Sequence, residues 1–330
     1  MESLSIAVEG KVPKMVAGMG FATLDRIYTP TRNRPVEALG GSCANVLVSL
    51  AMLGHRVAPI LNLGSDETGA FLLDEIQRAG CVTQFVFREA NEESPVIVEY
   101  LDIQLARHAF SSTCPETHRQ LPAYRPIAES NADRAKGAIR AASIFYVDRL
   151  SDTTLLAMEE ASGAGALVLF EPNSLKNWSL FRRALPFIDI LKTSEDTRAE
   201  MDAQLFEAPP YFISTHGSEG LTLEANARTV TLPSIAAPRL VDTCGAGDMV
   251  TTGLIHALMN VGATRRTIRI DDVYSGLVMG QRLAALNCAF VGARGAFHAF
   301  GGATIRNALM SRSECCLDVA GVEPYAGYKR

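Results

Sequence analysis

Asp242-Thr243-Cys244-Gly245-Ala246-Gly247-Asp248 sets an acid on each side of a run of small residues, directly ahead of the apolar helical stretch Met249–Met259. Glycines that open a helix leave its first backbone N–H groups uncovered, and those groups together with the helix dipole attract an anion. The missing side chain lets the anion approach the backbone closely. Asp248 falls in the first turn, where a charged carboxylate is favoured and can accept a proton. A hydroxyl held between Asp248 and a phosphate on those amides would lose its proton as it attacks phosphorus. A flexible helix cap would account for the glycines but not for the flanking acids.

Gly40-Gly41-Ser42-Cys43-Ala44-Asn45 repeats the pattern of paired glycines before a helix. Asn45 lies in the first turn of that helix and offers both donors and an acceptor, which suits a polyol. A plain N-cap by Ser42 is the competing reading. Gly18-Met19-Gly20 follows a strand as a dinucleotide fingerprint would, but Thr23 stands where the third glycine belongs, which weighs against a dehydrogenase. Asp25, just past the strand end, is placed to grip hydroxyls. Thr215-His216-Gly217-Ser218-Glu219-Gly220 follows an apolar strand and could line a nucleotide, or be an ordinary turn. The chain has no G-x-x-x-x-G-K-S/T phosphate loop, no G-x-S-x-G elbow and no His/Cys spacing of a zinc site.

These segments need a scaffold. Short apolar runs at Lys14–Met19, Val57–Leu63, Ser143–Val147, Ala166–Phe170, Ile188–Lys192 and Tyr211–Thr215 read as strands covered on both faces. Helical patterns at Ser42–Leu53 and Gly69–Ala79 stop at Gly54 and Gly80. Strand and helix alternating in this way predict a mostly parallel sheet with helices on both sides. Pro95–Leu101 and Leu105–Ser112 break the pattern. No helix separates them, so they should pair antiparallel as a lid or oligomer surface, with 27–37 adding an edge. The expected division is a large domain from 1–26, 38–93 and 114–330, with a small lid from 27–37 and 94–113. Cys114–Ser130, with three prolines, reads as a surface connection.

The 330 residues are 48% hydrophobic with a formal net charge of −5. No basic run suggests nucleic acid or a membrane surface as partner. No stretch is long and apolar enough to span a bilayer, and none resembles a secretory signal. Seven scattered cysteines, including the adjacent Cys315 and Cys316, read as reduced thiols of a cytoplasmic protein.

Taken together, these motifs resemble the ribokinase family, also called PfkB-type carbohydrate kinases, from Gly18 to about Ala296. Asp242–Asp248 matches the signature D-T-x-G-A-G-D, and Gly40-Gly41…Asn45 with Leu50, Gly54 and Gly64 matches the N-terminal signature. The resemblance implies a three-layer α/β/α sandwich, a mostly parallel central sheet and a small β lid that often supports homodimers. It implies ATP and Mg2+, with K+ near the loop holding Asp242 in many members. Asp248 would be the catalytic base, and the amides of Gly245, Ala246 and Gly247 the anion hole. Asp25, Gly41 and Asn45 would hold the acceptor; Thr215, Gly217 and Gly220 would lie along ATP, with Asn287 near the adenine. Two departures stand out. The family's N-x-x-E reads Ser194-Glu195-Asp196-Thr197 here, leaving Glu195, through water, as the metal-side substitute. D-P-N-x-R reads Glu171-Pro172-Asn173-Ser174-Leu175, while Trp178 keeps a sugar-branch look. The expected activity is phosphoryl transfer from ATP to a small sugar; a nucleoside kinase and a weakly catalytic binding protein on the same scaffold are the alternatives.

Overall fold

The computed structural model describes residues 14–202, 208–311 and 317–328; Cys315 and Cys316 lie outside them. The first half runs β1 (Met15–Met19), β2 (Thr23–Tyr28), β3 (Val36–Gly40), α1 (Ser42–Met52), β4 (Arg56–Gly64), α2 (Glu67–Arg78), β5 (Val86–Glu89), β6 (Val96–Asp102) and β7 (Arg107–Ser111). Then come α3 (Glu129–Ala141), β8 (Ile144–Val147), α4 (Asp152–Gly163), β9 (Leu167–Phe170), α5 (Trp178–Ala184), β10 (Ile190–Ser194) and α6 (Glu195–Asp202). The chain closes with β11 (Tyr211–Thr215), β12 (Leu221–Ala225), β13 (Arg228–Leu232), α7 (Ala246–Val261), α8 (Ile270–Asn287), α9 (Gly295–Phe300) and α10 (Gly302–Met310).

Nine strands form the main sheet in the order β13-β12-β11-β10-β9-β8-β1-β4-β5. From β11 to β5 every pairing is parallel, and only β12 and β13 run antiparallel at one edge. Alternate residues of each strand feed two cores, as a sheet covered on both faces requires. Val16, Ile144, Leu167 and Ile213 pack with α1, α7 and α8, while Ala17, Phe145, Val168 and Phe212 pack with α3, α4 and α5. The three layers expected from the sequence are therefore present. All six anticipated strands occur, with ends shifted by at most two residues.

The lid is larger than anticipated. Its sheet has four strands in the order β3-β2-β6-β7, with β6 and β7 antiparallel and β2 parallel to β6. Asp25 accordingly sits on a lid strand rather than just past a strand of the main sheet. A small third core of Ile27, Val36, Leu101, Val241 and Val291 joins the lid to the loops ahead of α7 and after α8. The C-terminal segment straps this region: the Tyr325 hydroxyl meets Thr29 Oγ1 at 2.9 Å, and Val291 N–H donates to the Pro324 carbonyl at 2.9 Å.

Helices α7 and α8 lie almost backbone to backbone. A Cβ on Gly253 would stand 2.3 Å from Gly280 Cα, so this contact needs glycine on both helices. That packing anchors the helix whose first turn carries Asp248.

Candidate active site

Strands β1, β8, β9, β10 and β11 end on one side of the sheet, and ligands in open α/β folds bind outside those ends. Asp148 follows β8, Glu171 follows β9, Ser194 ends β10 and Thr215 ends β11. The front of α7 stands over this edge: Lys192 Nζ, on β10, donates to the Gly247 carbonyl at 3.2 Å.

The α7 start is built as an open N-terminus. Gly245 adopts a left-handed φ of 73°, and a Cβ there would come within 2.4 Å of Ala293 Cβ. Two independent constraints thus demand glycine. Among the described residues, the amides of Gly245, Gly247 and Asp248 have no hydrogen-bond partner, whereas Ala246 N–H donates to the Thr243 carbonyl at 3.2 Å. The free set therefore differs from the expected Gly245, Ala246 and Gly247: the turn that starts the helix uses the Ala246 amide, and Asp248 contributes its own.

Asp248 is enclosed by protein but still touched by solvent. Asn45 Nδ2 donates to its Oδ2 at 2.8 Å, joining α1 to α7 across 203 residues of sequence. Burial pushes the Asp248 carboxyl up to about 7; Glu171 adds to the rise, and the Asn45 hydrogen bond and Lys192 oppose it. A carboxyl titrating near neutrality is what a proton acceptor for an alcohol needs. Behind it, Glu171 takes hydrogen bonds from the Thr251 hydroxyl at 2.6 Å and the Tyr146 hydroxyl at 3.2 Å, and pairs with buried Lys192. The fully buried Asp148 accepts from the amides of Phe21 at 3.0 Å and Cys43 at 3.1 Å, fixing the start of α1.

On the lid side, Asp25 is buried and its carboxyl is raised to about 7 by desolvation, with Arg294 pulling the other way. A Cβ on Gly40 would overlap the Asp25 carboxylate at 1.8 Å, so the first glycine of the pair makes room for that acid. Gly41 caps α1 with φ 88°. Asn45 Oδ1 is buried without a partner, an acceptor left for a ligand hydroxyl. Arg294, buried and donating to the Leu39 carbonyl at 2.9 Å, is the cation beside Asp25. Asp148, Glu171, Lys192 and Arg294 escaped notice in the sequence as site residues. The position of the first two, directly after apolar strands, and for Glu171 its place in the altered D-P-N-x-R stretch, could have marked them.

The nucleotide-side expectations divide. Thr215 lies at the crevice, its hydroxyl donating to the Thr193 carbonyl at 3.3 Å, and Gly217 is exposed with φ 56°. Gly220 is buried with φ 111°, and a Cβ there would strike the Leu232 carbonyl. Asn287 is fully buried. Its Nδ2 donates to the Gly292 carbonyl at 3.1 Å, and its Oδ1 accepts from the Ala296 amide at 3.1 Å. That side chain braces the 288–295 loop with both ends of its amide. Glu195 is 71% exposed at the start of α6, 3.6 Å from His216 Nδ1. The Ser194 hydroxyl donates to that of Thr197 at 3.2 Å, so the two residues replacing the N-x-x-E pair bond to each other.

A match to the carbohydrate-kinase family makes this chain a phosphotransferase with an alcohol group as acceptor. Residues 23–288 match the model of the pfkB family carbohydrate kinases, and the chain belongs to that family. It is 24% identical over 240 residues to a fructokinase of Vibrio alginolyticus, covering 66% of this chain and 76% of the relative. The fructokinase of Xylella fastidiosa, solved with bound ATP, superposes with a TM-score of 0.71 at 21% identity, covering 86% of this chain and 94% of that one. The aminoimidazole riboside kinase of Salmonella enterica, solved with aminoimidazole riboside and an ATP analog, gives 0.69 at 20% identity, covering 90% and 100%. No helix among the described residues is long and apolar enough to cross a membrane.

Proposed function

We propose that this kinase transfers the γ-phosphoryl group of ATP to a hydroxyl of a small sugar or sugar-like molecule, with Asp248 as base. The observation that carries the reading is the Asp248 carboxyl, raised to about 7, in the same helical turn as three unpartnered amides. The amides of Gly245, Gly247 and Asp248 receive the charge of the migrating phosphoryl group, donors fixed in advance by the helix start. Asp25, the Gly41 turn and Asn45 hold the acceptor. As its oxygen forms the new bond to phosphorus, the bond to ADP breaks and the proton passes to Asp248. Phosphoryl transfer asks for alignment and neutralised charge more than covalent help. Lid closure excludes water, which would otherwise accept the phosphoryl group.

ATP lies, in this reading, along Thr215, Gly217 and Gly220. The ATP-bound Xylella fructokinase supports that cofactor. Mg2+ keeps most of its waters and takes one or two carboxylates plus phosphate oxygens. Glu195, acting through water, is the protein group at that corner suited to it, and it would neutralise phosphate charge. K+ beside the loop holding Asp242 completes the ion set. A homodimer through the lid is supported by the exposed Tyr100 and Leu105, and a cytoplasmic location by the composition.

The self-satisfied Ser194–Thr197 pair favours one second reading, a slow kinase that chiefly binds its ligand. An acceptor panel coupled to ADP release decides. Ketohexoses, pentoses, sugar acids and nucleosides are supplied with Mg-ATP. Turnover well above the ATPase background with a sugar or sugar acid supports the proposal. Preference for a nucleoside reassigns the acceptor, and tight binding without turnover establishes the second reading.

A further inference from the structure

The inner face of the lid and the loop beneath it bring together three residues that neither the proposed proton transfer nor the anion hole uses. Register places Glu99 opposite Ile27 of β2 and Phe110 of β7, and Leu101 opposite His108. Beneath them runs the loop that begins at Asp242. One ligand atom each from Glu99, His108 and Asp242 falls within 4.8 Å of the others. We propose that Glu99, His108 and Asp242 bind one divalent transition-metal ion that ties the lid to the loop leading into α7.

One observation beyond the clustering points to a ligand, and the spacing within the cluster agrees with it. Glu99 is fully buried, and neither carboxylate oxygen has a hydrogen-bond partner of good geometry, the Cys244 thiol being its neighbouring donor. A buried carboxylate with both oxygens orphaned is costly unless something meets it. His108 Nδ1 lies 3.7 Å from Asp242 Oδ1. That is too long for a hydrogen bond, but it is close to the separation of two atoms sharing one ion through arms of about 2.0–2.2 Å.

The remaining partners hold the site in shape. Asp242 Oδ1 accepts from the Cys244 amide and Oδ2 from the Gly292 amide, each at 2.8 Å, which orients the carboxylate and leaves lone pairs free on both oxygens. The Thr243 hydroxyl stands 3.4 Å from His108 Nδ1, and the Phe110 ring packs at 4.9 Å from the imidazole. One imidazole with two carboxylates suits Zn2+ or Mn2+. It suits Mg2+ poorly, since that ion holds to oxygen ligands and its own waters. The ligands come from β6, β7 and the loop before α7, so the ion stabilises the closed lid.

The test uses the full chain with Cys315 and Cys316 changed to serine, stripped of metal, with no nucleotide or acceptor present, so it reads the site whether or not the kinase reading holds. Equilibrium dialysis against Zn2+ should give one ion per chain and a raised melting temperature. Glu99→Gln and His108→Ala should each weaken binding at least tenfold and lose the melting shift, and the surface control His118→Asn should change neither. Because Glu99→Gln keeps the shape and replaces a carboxyl that burial already favours in its neutral form, its metal-free form should melt close to the parent, separating ligand loss from unfolding. Substoichiometric zinc in the parent, or full binding by both variants, overturns the proposal. So does a Glu99→Gln protein whose only defect is a higher acceptor KM in a parent that takes up no zinc, because that assigns the carboxylate to the acceptor.

Discussion

The start of α7 and the corner where β10 meets α6 face the same crevice but are built in opposite ways. At α7 polar capacity is left open: three amides without partners, an orphaned Asn45 oxygen, and a carboxyl raised to about 7. Its supports, Asn45, Asp148, Glu171 and Lys192, come from separate strands and helices. At the β10–α6 corner the polar groups are closed. Ser194 and Thr197, three positions apart, hydrogen-bond to each other, and the nearby Glu195 is turned to solvent beside His216. A pair that satisfies itself has little left to organise a metal–phosphate complex. The proton-handling half is thus assembled by the whole fold, while the metal-side half has shrunk to a local helix cap. The comparison predicts that substitutions at α7 abolish the reaction, and that substitutions at the corner adjust it or improve it.

The largest effect belongs to Asp248→Asn. The variant keeps the shape and the Asn45 neighbour but cannot accept a proton. Turnover should fall about 10²–10⁴-fold in the coupled ADP assay, with Mg-ATP affinity by calorimetry little changed. A rate near that of the parent would remove the distinction between the two regions.

Lys192→Met tests how far the open end depends on buried support. Lys192 is 2% exposed and pairs with Glu171. Removing one partner of such a pair leaves the other charge uncompensated and should cost about 3 kcal/mol in denaturant unfolding. Lys192 also holds the Asp248 carboxyl down, so the surviving activity should need a higher pH. Adding Glu171→Gln should recover part of the lost stability, because it withdraws the stranded charge. No recovery would place the role of Lys192 in its contact with the Gly247 carbonyl instead.

The same contrast explains what could be read from the sequence. The apolar strand runs and the two glycine-opened helices were legible because each is a local pattern: a hydrophobic period, a stop glycine, small residues before a first turn. The supports were not. Lys192 reads as the end of an apolar strand, and nothing nearby shows that Glu171 waits across the sheet. Arg294 lies far in sequence from Asp25, and only the packing of the lid on the last loops brings them together. Asn287 shows the converse, since a polar residue near the end of α8 looks available until the loop after it folds back and takes both ends of its amide. Asp25 was expected just past β1 and instead lies on a strand of the second sheet, because Thr23–Tyr28 follows β1 after too short a turn to show that it joins that sheet.

At the corner, the pair Ser194→Asn with Thr197→Glu restores the family's N-x-x-E. If that corner limits metal handling, the Mg2+ concentration for half-maximal rate should fall about tenfold, the scale on which groups supporting a metal act. Thr197 is buried, so a thermal melt must accompany the kinetics. A stable double variant with an unchanged Mg2+ requirement would show that Mg2+ relies on the nucleotide and not on this corner.

The smallest effect, and the sharpest, is expected of Asn45→Ala. With Asp248 raised to about 7 and active only when ionised, kcat/KM in the parent should rise with pH through about 7 and then level off. Asn45 donates to the carboxylate and so favours the ionised form. Its removal should move the midpoint upward. One hydrogen bond of about 1 kcal/mol net moves the midpoint by about 0.7 pH unit, a loss of about threefold at neutral pH that approaches about fivefold in acid. The loss should deepen in acid and vanish at alkaline pH, where Asp248 is ionised with or without its partner. If the unpaired Asn45 Oδ1 instead serves mainly to hold the acceptor, KM should rise by a constant factor at every pH and the midpoint should stay in place. The two outcomes separate tuning of the base from positioning of the alcohol, two tasks that the α7 end assigns to one side chain and the β10–α6 corner assigns to none.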